Sequence, residues 1–183
     1  MLEYVVYIPM RRYTHLRRKI REVLDFPTPG IRFKDITPLL EDEASFREAI
    51  DGITEFLKDK KVDKIVGIDA RGFLLAAPIA YLLKAGMVIV RKRGKLPHKI
   101  ITQAHTLEYG EASLEVHVDS IHAGERIAII DDVLATGGTA GAAVKLVERL
   151  GGKVVGVGFL LELSRLKGHK KLKGHRVHSL IRF

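Results

Sequence analysis

Apolar positions along this chain follow two alternating rhythms. Short dense runs at Lys64–Ile68, 87–90, 126–130 and 154–161 suit strands buried on both faces. Other stretches space their apolar residues by three and four. Phe46, Ile50, Ile53 and Leu57 predict a helix over 45–58, with Asp42 and Ser45 as candidate caps. Ala140, Ala143, Val144, Val147 and Leu150 predict another over 140–150, stopped by Gly151 and Gly152. Residues 14–24 and 74–83 also read as helices. Strands alternating with helices imply an α/β fold, an open and mostly parallel sheet flanked by helices. Between Gly94 and Asp119 the period falls to about two, as in Ser113, Leu114, Glu115, Val116, His117 and Val118. That predicts a β-ribbon leaving the sheet and returning. Without repeats, low-complexity stretches or linkers, residues 1–183 are expected to form one domain.

Composition narrows the class. With 46% apolar residues in 183, a substantial core is expected. No run of 18 apolar residues suggests a membrane span. The short run Val5, Val6, Tyr7, Ile8 is followed by basic residues and lacks a small-residue cleavage site, so it does not read as a signal peptide. The chain has no cysteine, which removes disulfides and thiolate chemistry and suits a reducing, cytoplasmic setting. A net charge of +9 collects in residues 11–21 and in an acid-free tail at 165–182. Such charge suits an anionic partner, whether nucleic acid, lipid or a phosphorylated small molecule; for the tail a solvated face is an equal reading. His169, His175 and His178 lie in that tail with neither cysteine nor acid beside them in sequence, which argues against a transition-metal site.

In open parallel sheets ligands sit at the C-terminal strand ends. The strongest such site is Ile127-Ala-Ile-Ile-Asp-Asp-Val-Leu-Ala-Thr-Gly-Gly-Thr139. An apolar strand ends in two carboxylates, then a small-residue loop, then a helix start whose free N–H groups and positive dipole end can seat a phosphate. Ala135, Thr136, Gly137, Gly138 and Thr139 would form that seat. Asp131 and Asp132, repelled by phosphate, suit vicinal sugar hydroxyls. No Gly-Lys-Ser/Thr follows, so this is not a P-loop. At a second strand end, Asp69-Ala-Arg-Gly72 offers backbone N–H groups and Arg71 for another anion. At a third, Arg91, Lys92, Arg93 and Lys95 crowd four cations into five residues, as a solvated edge or as clamps on a polyphosphate. Phe33, between Arg32 and Lys34, is either a core anchor or a stacking surface for a flat ring.

The Ile127–Thr139 segment resembles the phosphoribosyl-diphosphate signature of the type I phosphoribosyltransferases. The resemblance extends to family members that use adenine: residues 26–40 look like their base-binding segment, 67–73 like the diphosphate loop, and 91–97 with 106–110 like the two ends of a mobile lid. Leu161-Glu-Leu163 with Leu166-Lys-Gly168 resembles the family's last strand, while residues 1–12 and the tail beyond Gly168 fall outside the likeness. The resemblance implies a lid at about 94–119, a small base-binding hood at about 26–40, and transfer of phosphoribosyl from its 1-diphosphate to adenine. It implies that Asp131, Asp132 and residues 135–139 hold the phosphoribosyl group. Asp69, Ala70, Arg71, Arg91, Lys92, Lys95 and Tyr109 would hold the diphosphate, across a cis Asp69–Ala70 peptide. Arg32, Phe33, Lys34 and Leu163 would meet the base, and Glu108 would take its proton beside Arg71. Arg32 and Lys34 depart from the family's usual aliphatic residue and arginine. The resemblance further implies Mg2+ brought in on the diphosphate rather than bound by protein ligands, and a homodimer in which Arg91 reaches the neighbouring site. No nucleic-acid or membrane partner is expected. A 6-oxopurine acceptor, or a non-catalytic regulator that senses the sugar diphosphate, are the alternatives.

Overall fold

The computed structural model describes residues 13–106 and 111–183. Its frame is a seven-stranded sheet. Five parallel strands form the middle and one edge, in the order β4 (Gly86–Lys92), β3 (Lys64–Ile68), β7 (Arg126–Leu134), β8 (Lys153–Glu162) and β9 (Val177–Arg182). Beyond β4 the ribbon β5 (Ile100–Thr106) and β6 (Glu111–His117) continues the sheet antiparallel, through the pairs Arg91 with Glu115 and Lys92 with Leu114. This is the mostly parallel, helix-flanked sheet that the alternating runs predict.

Each face of the sheet has its own core. On one, α3 (Glu43–Leu57) and α4 (Arg71–Leu83) bury Ile50, Ile53, Leu75 and Ile79 against Ile65, Ala128, Ile130 and Leu160. On the other, α5 (Gly138–Arg149) buries Ala143, Leu146 and Val147 against Val66, Ile68, Ile129, Val157 and Phe159. Asp42 caps α3 by accepting from the Ser45 N–H at 3.1 Å. The Ser45 hydroxyl, the main cause, and Lys19 add to this bond, and together they hold the Asp42 carboxyl down at about 2. Among the described residues no helix is long and apolar enough to cross a membrane.

Three expectations need correction. Residues 14–24 are not one helix: α1 stops at Thr14–Arg17, and Arg21–Leu24 is a strand, β1, paired antiparallel with β2 (Arg32–Asp35). Leu16 and Ile20 do sit four apart and buried. Cross-strand partners, invisible to local spacing, then take over, with Glu22 binding both Arg32 and Lys34. The basic tail, read as a solvated face with equal weight, contains β9, whose His178, Ser179, Leu180 and Ile181 are buried. It is not without acids in space either. Buried Glu162 lies 3.0 Å from His169 and 3.3 Å from Arg182, and Glu148 lies 3.7 Å from His175. His178 stacks on Phe56 at 4.9 Å, and burial pushes its pKa down to about 4. Finally, β7 runs past residue 130, because Asp131, Val133 and Leu134 keep pairing with Phe159, Leu161 and Glu162 on β8.

Candidate active site

The longer β7 carries Asp131 and Asp132 to the sheet's C-terminal edge, where both carboxylates are buried. The Asp132 N–H donates to Asp131 Oδ1 at 2.9 Å. Asp132 Oδ2 lies 2.6 Å from Nε of Arg71, the first residue of α4. Burial, and next the Asp132 charge, push the Asp131 carboxyl well above the usual range, while Arg71 and the N–H bond oppose the shift. Two acids are therefore held together at some cost in stability, which suits a binding role more than a structural one. Gly72 makes the arrangement possible: a Cβ there would lie 2.9 Å from Asp131 Oδ1 and 3.0 Å from the Ile130 carbonyl.

After β7, residues 135–137 turn into α5, with Gly137 at the N-cap in a left-handed conformation, φ 76°. No side chain caps this helix, so its first N–H groups stay available to a ligand. Behind the loop, the backbones of Gly137 and Gly168 meet so closely that neither position has room for a Cβ, and one on Gly168 would also collide with the Ala135 carbonyl. A cleft of about 320 Å³ opens over the loop, lined by residues 133–140 on one side and by Pro27, Ile31 and Phe33 of the hood on the other. The loop residues Ala135, Thr136, Gly137, Gly138 and Thr139 thus share one wall.

The Asp69–Ala70 peptide is cis, directly before the start of α4. Asp69 accepts from Arg91 Nε at 3.1 Å and from the Lys92 N–H at 3.5 Å, and the Lys95 carbonyl accepts from Arg91 Nη1 at 3.3 Å. Arg91 is therefore turned onto its own loop in this chain. Lys92 and Lys95 remain exposed beside it. Glu115, unnoticed in the sequence reading, is buried and accepts from the Gly94 N–H at 2.9 Å, holding the turn after β4. Alternation on β6 sets Glu115 on the face opposite the buried Leu114 and Val116, so nothing local in the sequence marks it as an inward carboxylate.

At the hood, Phe33 faces the cleft with Phe26 edge-on at 5.1 Å and the Arg71 guanidinium 5.1 Å from its ring centre. Strand alternation turns Arg32 and Lys34 the other way, to Glu22 at 2.8 and 2.9 Å. Their side chains are not brought to the cleft; only their main chain runs beside Phe33. Leu163 is half-buried, its N–H bonded to the Leu134 carbonyl at 2.9 Å. Glu108 and Tyr109 lie outside the described residues. The sequence reading also missed His105, whose Nε2 lies 3.3 Å from Thr139 Oγ1; a lone histidine in an alternating strand gives no local signal of such a partner.

Residues 37–179 match the family model of the phosphoribosyl transferase domain. The match runs past Gly168, so the likeness covers more of the basic tail than the motifs alone suggest. Over 168 residues the chain is 55% identical to the adenine phosphoribosyltransferase of Anaeromyxobacter dehalogenans, covering 92% of this chain and 98% of that one. The crystal structure of adenine phosphoribosyltransferase from Thermoanaerobacter pseudethanolicus superposes with a TM-score of 0.89 at 50% identity, covering 92% and 98% of the two chains. The Trypanosoma brucei enzyme, in complex with AMP, pyrophosphate and ribose-5-phosphate, superposes with a TM-score of 0.86 at 29% identity over 95% and 79%. By sequence, by fold and by this arrangement of strand-end carboxylates and open helix start, the chain belongs to the adenine phosphoribosyltransferase family.

Proposed function

We propose that the protein transfers the 5-phosphoribosyl group from 5-phosphoribosyl 1-diphosphate to adenine, giving AMP and diphosphate. The observation that carries this reading is the buried Asp131–Asp132 pair set beside the uncapped start of α5, acceptors next to an anion seat. The carboxylates accept from the two ribose hydroxyls, and residues 135–139 donate to the 5-phosphate. Arg71 reaches Asp132 through Nε, which leaves its terminal amino groups for the diphosphate. Arg91, Lys92 and Lys95 add charge where the diphosphate departs. As the bond from the anomeric carbon to the diphosphate oxygen breaks, its electron pair leaves with the diphosphate. Purine N9 then bonds to that carbon, and its proton passes to Glu108. Phe33 and Leu163 would sandwich the purine, with main chain at Arg32 and Lys34 reading its edge.

The donor set also fits Mg2+. An ion that keeps waters and substrate phosphates needs only one or two carboxylates nearby, and the site offers Asp131 and Asp132 rather than a full protein cage. Brought in on the diphosphate, it would neutralise charge there. The lack of cysteine supports a reducing, cytoplasmic setting. Turnover of adenine, hypoxanthine and guanine with the sugar diphosphate, with and without Mg2+, tests the whole reading. Adenine should be used and should require the ion. Use of hypoxanthine or guanine alone would assign a 6-oxopurine acceptor instead, and no turnover at all would leave binding without catalysis.

A homodimer is part of the same proposal. Leu74, Tyr81 and Leu82 on α4 and Met87 and Ile89 on β4 are exposed, although large and apolar. They run along α4 and β4, with Leu74 one turn past the diphosphate loop, and a second copy covering them would bring its own residues close to that loop. Sedimentation should show about twice the 20.4 kDa chain mass, and Ile89→Glu should shift it toward the single chain. A fully active species of 20.4 kDa alone would rule the dimer out.

A further inference from the structure

Thr139 is the second residue of α5 and lines the cleft beside Gly137 and Gly138. Its hydroxyl is in hydrogen-bonding contact with a side chain of the ribbon, His105 Nε2, at 3.3 Å. His105 sits near the end of β5, opposite Ala112 on β6. A second tie lies further back, where Arg149 Nη1 donates to the Thr102 carbonyl at 2.7 Å. Three residues of strand span about 10 Å and ten of helix about 15 Å. Two ties over that length fix how β5 lies along α5, and so fix where the imidazole meets the hydroxyl.

The direction of that bond depends on what else the hydroxyl binds. Thr139 has one proton to donate and two lone pairs. A phosphate dianion offers only acceptors, so a threonine that contacts it gives the proton away. Its lone pairs then face His105, which must present N–H at Nε2. With no anion present, Thr139 can equally donate to a bare Nε2.

We propose that His105 is a positioning residue for the 5-phosphate: its Nε2–H aims the Thr139 hydroxyl at the anion, and the bound anion in turn fixes the Nε2–H tautomer. This rests on the reading that residues 135–139 seat the 5-phosphate. The groups around the ring are Thr139 from α5, Ala112 from β6 and the charge of Lys171 from the segment before β9. Burial, with Lys171 acting the same way and a backbone contact at Gln103 opposing, holds the His105 pKa below its ordinary value. Nδ1 is buried and makes no hydrogen bond among the described residues, so it can stay bare while Nε2 carries the proton. The ring is then neutral at neutral pH, so tautomer rather than charge carries the effect.

The test uses AMP, which carries the 5-phosphate, and adenine, which lacks it. His105→Leu should weaken AMP about tenfold, the effect of one hydrogen bond serving a charged ligand, and leave adenine within about twofold. His105→Gln keeps a donor at nearly the same reach and should recover most of the loss. In the parent protein with 15N-labelled histidine, AMP should move His105 Nε2 to a fully protonated signal, and adenine should not. Leu and Gln variants that bind AMP equally, or an Nε2 signal unmoved by AMP, would overturn the proposal. Thr139→Val separates the two levels. If it weakens AMP while His105→Leu does not, the phosphate seat stands and the role of His105 falls; if neither weakens AMP, both fall.

Discussion

Exchanging Asp131 and Asp132 together for asparagine is expected to lower kcat/KM for the sugar diphosphate by about 10²–10⁴-fold, the loss of two hydrogen bonds to charged acceptors. The fold should survive, since Arg71 is partly exposed and its pair with Asp132 is screened by solvent. Stability should reveal the strain at the site. Burial, then the Asp132 charge, raise the Asp131 pKa in the folded state. The native protein therefore holds a proton that the unfolded chain releases near pH 4, and stability falls as pH rises from there. Asp131→Asn alone should flatten this decline, so its melting temperature should gain on the parent's as the pH rises above about 4. Near-normal kcat/KM in a folded double variant would sink the ribose assignment, and parallel melting curves would remove the strain.

Glu108→Gln should reduce kcat and kcat/KM together by about 10²–10⁴-fold, the usual contribution of a general base. Gln keeps size and hydrogen bonding but cannot accept the N9 proton. An ordinary glutamate is too acidic to be an effective base at neutral pH, so the role needs enclosure under the ribbon to raise its pKa. Glu108→Leu should be at least as impaired. Single-turnover rates with adenine separate chemistry from product release, which lid opening can otherwise limit. A Gln variant with the parent's single-turnover rate across the pH range would reassign the proton to water or to diphosphate oxygen.

How much of this is legible in the sequence follows from how local each signal is. Parallel strands buried on both faces announce themselves as apolar runs, so Lys64–Ile68 is found to the residue. The strand-end acids and the small-residue loop are adjacent in sequence, and so is their chemistry. β1 is missed because its partners lie eight to fourteen residues away, and Leu16 and Ile20 carry a helical spacing up to its edge. β9 is missed because lysines and histidines precede it, and its buried His178 and Ser179 break the apolar run. Phe33 is seen as an isolated aromatic, yet the opposite orientation of Arg32 and Lys34 appears only once Glu22 is placed across from them. The contact between His105 and Thr139 joins positions 34 apart, and no motif spans that distance.

The backbone contact between Gly137 and Gly168 bears on which changes the lineage of this protein can accept. Gly30, Gly124 and Gly174 also adopt positive φ but face open space, so asparagine there would meet only backbone strain. Gly168 has no such conformational excuse, and it sits in a stretch of lysines and histidines that looks free to drift. Yet any side chain on it would push against the Ala135 carbonyl and the Gly137 amide from behind. A mutation there would register as weak phosphate binding, in a residue that never meets substrate. Screens for loss of function should therefore score position 168 with the signature loop rather than with the tail around it, and two positions 31 residues apart should tolerate variation as one.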